Sequence, residues 1–232
     1  MSYAVDPNLE KALLLVEFAK THNLSLKPKV IDIIEEIAGA ENLPLNLTHG
    51  PFQSLEQARK SVVEAGKAVS ELKLAGTVFG NVSTIYDDII YISATGSSLS
   101  SLENSIACCD FTGNVLNDLN PSSEFPSHFR IYKETRSKCI LHAHPFFTVV
   151  YTMLKGEGQT MFGVPIVGGE VGGGEKGIVH TVPPVLKDFN IVAVHAHGVF
   201  AVDAFDFNAP LKNISKLEQL CKKRYIEKYM GI

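Results

Sequence analysis

Histidines that come in pairs carry the most informative chemistry of this chain. His142-Ala143-His144 lies inside Cys139-Ile140-Leu141-His142-Ala143-His144-Pro145, and His195-Ala196-His197 lies between Val194 and Gly198. Side chains two apart on a strand face the same way, so each pair can aim two imidazoles at one metal ion. Four of the eight histidines sit in these two β-rich contexts. Packing alone does not explain that concentration, although a single buried histidine is more often a hydrogen-bonded core residue. Three imidazole nitrogens with a carboxylate or a water would make an open, catalytic metal site. Pro121-Ser122-Ser123-Glu124 offers the carboxylate just ahead of an expected helix, where hydroxyls and first-turn amides meet the positive end of the helix dipole and can seat an anion. Read by itself, the same run is an ordinary N-cap. Gly80-Asn81-Val82-Ser83 and Thr95-Gly96-Ser97-Ser98 offer further amides and hydroxyls, and each reads equally well as a hairpin connection or a strand end. His128 follows Glu124 by four residues and shares its helical face, which suits a structural or supporting residue. The glycine-rich run at 168–177 lacks the Gly-Lys-Ser/Thr ending of a phosphate loop. It reads as a mobile loop or tight hairpin, with Glu170, Glu175 and Lys176 able to rim a site.

The elements that must position these residues follow from the periodicity. Asp6-Pro7 caps a helix carrying Leu9, Ala12, Leu13, Val16 and Ala19, and Val30, Ile33, Ile34 and Ile37 repeat the pattern up to Gly39. Residues 42–52, with Pro44, Gly50 and Pro51, read as a linker. Ser54 and Gln57 form a capping box for a third helix. From Ala75 the period changes to strand, turn, strand across Val78–Ile92, with Asp87-Asp88 at the turn. Ser100 and Glu103 are expected to cap a helix, and Ser123 precedes another that runs towards Arg136. Cys139–His144 and Ile191–Val202 read as buried strands, kept apart by the glycine-rich run and Pro183-Pro184, and a closing helix starts at Asn208. Strands flanked by helices make an α/β layered domain.

With 232 residues, 45% of them hydrophobic, the chain can bury a full core, which excludes disorder and a disulfide scaffold. Against 25 acidic residues stand 21 Lys and Arg, a net charge of −4. That balance carries no electrostatic footprint for nucleic acid or an anionic membrane. No apolar run approaches the ~20 residues of a membrane span and no secretory signal is legible, so a cytoplasmic setting is expected. Cys108 and Cys109 are adjacent, Cys139 and Cys221 isolated. No metal or redox spacing arises, and the thiols read as reduced packing residues.

Taken together, Gly80–Ser83, Ile92–Gly96, Pro121–Glu124, His142–Pro145 and His197-Gly198 resemble, in order and approximate spacing, the motifs of the class II aldolase/adducin family and in particular its L-fuculose-1-phosphate aldolase branch. The resemblance runs from about Leu55 to the C-terminus and divides the chain into a helical extension at 1–52 and a catalytic domain at 53–232. It implies a layered α/β sandwich with a mostly antiparallel sheet, assembled as a homotetramer with active sites at subunit interfaces. It implies zinc held by His142, His144, His197 and Glu124, with Glu124 also acting as the base and His195 standing behind the ligands. It implies a substrate phosphate held at Gly80, Asn81, Thr95, Gly96, Ser122 and Ser123. Glutamate rather than the aspartate of the epimerase relatives favours an aldolase, which cleaves or forms a ketose phosphate through a metal-stabilised enediolate.

One position departs from the pattern. The aldolases supply a proton-donating tyrosine about twenty residues beyond the first histidine pair, where this chain has Phe162 and no tyrosine between Tyr151 and Tyr225. A phenylalanine donates no proton. Tyr151, Tyr225 or Tyr229 would have to substitute, or the same metal and carboxylate serve an epimerase, dehydratase or decarboxylase. A non-catalytic, adducin-like interaction module is the third reading, and an intact histidine set argues against it.

Overall fold

The switch from a helical to a two-residue period near Ala75 marks where the sheet begins. The computed structural model describes residues 8–37, 46–76, 79–170 and 174–231. Asp6-Pro7, Gly39, Asn42, Pro44 and Val78 lie outside these. In chain order the elements are α1 (Leu9–Thr21), α2 (Lys27–Ile37), α3 (Leu55–Glu71), β1 (Asn81–Tyr86), β2 (Ile89–Ser93), β3 (Ile106–Asp110), α4 (Phe125–Glu134), β4 (Cys139–Ala143), α5 (Phe146–Lys155), β5 (Thr160–Met161), β6 (Val164–Val167), α6 (Ile178–Val185), β7 (Ile191–Val194), β8 (Gly198–Asp203) and α7 (Asn208–Tyr225). The eight strands form one sheet in the order β3-β2-β1-β4-β8-β7-β6-β5. It is antiparallel except where β6 pairs parallel with β7, in keeping with the expected mostly antiparallel α/β sandwich.

Strand alternation sends side chains to two separate cores. Val82, Leu141, Ala143, Val199 and Ala201 pack with residues of α1, α2, α3, α5 and α7. Ile85, Ile90, Ile140, Phe200 and Val202 pack on the other face with α4 and α6, through Ile131, Tyr132, Ile178 and Val182. His142 is two residues from Ile140 and therefore shares the α4 face. Asn81 and Ser83 of β1 have the same parity as Ile85 and point there too.

Local chemistry accounts for most boundaries. Ser54 Oγ accepts from the Gln57 amide at the start of α3, and Gln57 Oε1 accepts in return from the Gln53 amide. Asp87 and Asp88 both adopt positive φ, 50° and 56°, as a two-residue hairpin of the primed type requires. The helical extension does not stand apart from the core. Ala12, Leu15, Val16 and Phe18 of α1 join the cluster that holds α5 and α7, and the buried Tyr225 hydroxyl donates to Leu15 O at 2.8 Å.

Three expectations need correction, and one segment without an expectation forms strands. No helix follows Ser100 and Glu103. The segment instead anchors through buried Leu99 and Leu102 and enters β3, because Ile106–Asp110 pairs along the whole edge of β2. Ile191–Val202 is not one strand but the hairpin of β7 and β8, with His195–His197 as its turn. Pro183 and Pro184 lie inside α6 rather than in a loop, where a helix this short forfeits few ladder bonds to them. Thr160–Val167, unassigned from the sequence, makes β5 and β6 around a tight turn at Phe162 and Gly163, with φ of 50° and 82°.

Candidate metal centre

β4 is the central carrier. His142 sits on it facing α4, fully buried, and its Nδ1 lies 3.0 Å from Val199 O of β8. A carbonyl only accepts, so Nδ1 holds the proton and Nε2 presents a lone pair to the site. His144 lies one residue beyond the strand, in the turn into α5. Pro145 has no side-chain donor or acceptor to cap that helix, and the half-buried Glu218 of α7 does so instead. Its two carboxylate oxygens accept from the Phe147 and Thr148 amides, each at 2.8 Å, which pins the turn that carries His144.

The β7–β8 turn decides between the two histidines of the second pair. The His195 amide donates to Val167 O, the Ala196 amide to Thr152 Oγ1, and Ala196 takes φ 56°. This geometry splays the pair, so the common strand face expected of them does not exist. His195 turns to Glu157, 3.8 Å away, while His197 Nε2 lies 2.8 Å from Glu124 Oε1. His142, His144 and His197 then converge, each with a ring nitrogen within 4.8 Å of the others.

Glu124 arrives from the opposite side, at the N-cap of α4. The Ser122 hydroxyl accepts from its amide, and Pro126 in the first turn of the helix removes a donor that would otherwise want a partner. Its carboxylate is buried, with Oε2 2.9 Å from Asn81 Nδ2 and 3.1 Å from His142 Nε2. Burial pushes the Glu124 carboxyl up, but the imidazoles of His142 and His197 together with the Asn81 amide outweigh it and hold the group below the usual carboxylate range. Burial likewise drives His142 well below the ordinary imidazole value, against the pull of Glu124. Glu124 Oε2 thus lies 3.1 Å from His142 Nε2, which is itself 2.9 Å from His144 Nε2. A cation among them would satisfy the carboxylate and the ring nitrogens together. Three nitrogens and one carboxylate are a donor set that would suit a divalent transition metal.

The turns expected to hold an anion gather at one edge of this centre. The Thr95 amide donates to Asn120 O, the Ser122 amide to Ser93 O, and Ala94 bridges Pro121. Thr95, Gly96 and Ser123 are exposed there and Ser122 is half-buried. Gly80, at φ 85°, runs so close to β4 that a Cβ would lie 2.6 Å from His142 O. The Asn81 side chain is not part of that open edge. It is 4% exposed and bridges Glu124 to His128. Glu170, Glu175 and Lys176 are exposed, and the Glu170 amide closes the loop by donating to Lys176 O. Two supporting groups were not assigned this role from the sequence: Tyr132, which went unnoticed, and Ser83, read only as a hydroxyl of the Gly80–Ser83 turn. Their signal was there: Glu124, His128 and Tyr132 recur every four residues on α4, and Asn81 and Ser83 every second residue on β1.

The family described as the class II aldolase and adducin N-terminal domain matches residues 60–225. The chain belongs to that family. A curated relative, an L-fuculose phosphate aldolase of Methanococcus maripaludis, is 38% identical over 77 residues, which is 32% of this chain and 42% of the relative. The chain therefore spans less than half the length of the curated relatives it matches. Among solved structures, YgbL of Escherichia coli superposes with a TM-score of 0.66 at 20% identity, covering 72% of this chain and 88% of that one. An L-fuculose 1-phosphate aldolase superposes with a TM-score of 0.65 at 21% identity, covering 77% and 90%. At these identities the structural likeness establishes the class II aldolase fold and leaves the reaction to be argued from the site. No helix among the described residues is long and apolar enough to cross a membrane.

Proposed function

We propose that this chain is a zinc-dependent class II aldolase that cleaves or forms a small ketose phosphate. The observation that carries the reading is the convergence of His142, His144 and His197 on the buried, ionised Glu124. A zinc ion held by these four residues would supply Lewis-acid polarisation of the ketose oxygens. Glu124 is the group positioned to take and return a proton at its carboxylate oxygens, since the Asn81 amide and His197 keep it ionised and oriented. Thr95, Gly96, Ser122, Ser123 and the Gly80 backbone line the edge where amides and hydroxyls would hold the phosphate. The Asn81 carboxamide serves Glu124 rather than the phosphate. The net charge of −4 does not oppose an anionic substrate, because the ion and the donor-rich turns provide positive potential locally. The relatives named L-fuculose phosphate aldolase support a phosphorylated sugar as substrate. A homotetramer in a reducing cytoplasm, consistent with four free cysteines, belongs to the same proposal.

One observation favours a second reaction on the same site. Phe162 occupies the exposed β5–β6 turn, and Tyr225, which could have stood in as proton donor, spends its hydroxyl on Leu15. If neither Tyr151 nor Tyr229 protonates a leaving aldehyde, the metal and Glu124 would still support epimerisation or decarboxylation. The test is to follow dihydroxyacetone phosphate release from a panel of ketose 1-phosphates by the zinc-loaded protein, alongside deuterium exchange from solvent. Release that falls about 10²–10⁴-fold in Glu124→Gln is expected. Exchange that needs Glu124 without any release would replace the aldolase reading with the second one.

A further inference from the structure

Behind Glu124 a line of buried polar groups crosses the layer between α4 and β1. Asn81, Ser83, Glu124, His128 and Tyr132 are all buried. Asn81 Nδ2 lies 2.9 Å from Glu124 Oε2, and Asn81 Oδ1 contacts His128 Nε2. His128 Nδ1 is 2.6 Å from Ser83 Oγ, which is 2.6 Å from the Tyr132 hydroxyl. The chemistry of each group leaves one direction for the protons. An ionised carboxylate accepts only, so Asn81 turns its amino group to Glu124 and its carbonyl oxygen to His128. That oxygen also accepts only, so His128 Nε2 carries the ring proton. A ring with its one proton on Nε2 leaves Nδ1 as an acceptor, and Nδ1 faces Ser83 Oγ at 2.6 Å. Ser83 must then donate to Nδ1, and its oxygen takes the Tyr132 proton. Every donor from Tyr132 onward points towards Glu124.

We infer that His128, locked in the Nε2–H form by Ser83 and Tyr132, is a positioning residue that fixes the Asn81 amide and through it the orientation of Glu124 at the metal. The inference rests on the reading of this centre as a zinc site. The alternative amide orientation would set the Asn81 oxygen against the Glu124 carboxylate and its amino group against a protonated Nε2, two mismatches in a buried place where no water offsets them. His128 therefore determines which face of Asn81 the carboxylate meets. Its side chain bonds to Asn81 and Ser83 rather than to an expected ligand, its backbone amide donates to Glu124 O at 3.2 Å within the helix turn, and its ring packs edge-on against Phe200, with ring centroids 5.9 Å apart.

The test compares wild type with His128→Phe, which keeps a ring beside Phe200, and His128→Gln, whose amide can again donate to Asn81. Zinc affinity is read by competition with a chromophoric chelator, and the His128 tautomer by ¹⁵N NMR of histidine-labelled protein. Wild type is expected to show the Nε2–H form. His128→Phe is expected to lose about 10–100-fold in zinc affinity, the usual cost of removing a group that orients a ligand, with kcat lowered and KM for the phosphorylated substrate little changed. His128→Gln should recover most of the affinity. Should His128→Phe fail to fold, Ser83→Ala carries the test. Its expected signature is a perturbed His128 ¹⁵N pattern with zinc affinity reduced several-fold. Wild-type zinc affinity in a folded His128→Phe or in Ser83→Ala, or an Nδ1–H tautomer, overturns the inference alone. A wild-type protein that takes up no zinc overturns the metal reading and this inference with it.

Discussion

Substituting Gly198 by alanine perturbs the candidate centre through sterics alone. The residue pairs with Val194 as the last rung of β7 and β8 and follows His197 directly. A Cβ built there would sit 2.4 Å from Ala143 O, 3.0 Å from His142 Cε1 and 3.1 Å from His144 Cδ2. The first contact falls about 0.6 Å short of the 3.0 Å that real Cβ atoms respect, and it is to backbone. The end of β8 must therefore move away from β4, taking His197 with it while both other imidazoles are pressed aside. Overpacking of this kind costs about 1–3 kcal/mol, or roughly 3–9 °C in Tm for a domain of this size. Three ligands displaced by several tenths of an ångström should weaken zinc binding by about 10–100-fold. Gly174, where a Cβ meets nothing within 4 Å, supplies the control, and Gly174→Ala is expected to match wild type. Chelator competition and thermal unfolding of the metal-free protein measure the two effects separately. If Gly198→Ala binds zinc and melts as wild type does, the close approach of β8 to both histidines of β4 is not what sets the ligand geometry.

Two further outcomes follow from the same structure. Tyr225→Phe removes the bond to Leu15 O and should cost about 1–2 kcal/mol, read by denaturant unfolding, with zinc affinity unchanged. Loss of activity without loss of stability would instead make Tyr225 a participant in the chemistry. His128 titrates near 4 in the folded chain against 6.5 ordinarily, so protonation is cheaper in the unfolded state. Its contribution, up to about 3 kcal/mol, is whole above pH 6.5 and drains as pH falls towards 4. His128→Gln should flatten the wild-type decline of unfolding free energy across that window, measured by urea titration at stepped pH, and parallel curves would refute the assignment of that decline to His128.

Spacing along single elements accounts for what was legible without coordinates. Two-residue and four-residue periods placed His142 on a strand, Glu124 and His128 on one helix face, and the Asp87-Asp88 turn between two strands, because those relations depend only on the local backbone. The histidine motifs likewise pointed to the residues that converge as a possible three-histidine site before any tertiary contact was known. Tertiary pairing decided the rest. Ile106–Asp110 became a strand because β2 offered it a complete row of partners, not because its neighbours forbade a helix. His197 rather than His195 faces Glu124 because Val167 and Thr152, distant in sequence, bind the turn amides and splay the pair. The role of Asn81 was beyond the sequence for the same reason: nothing local says which buried acceptor its amide will meet. What residues 81, 128 and 132 do for Glu124 exists only once α4 lies across β1 and excludes water, since then each polar group must find its partner within the protein.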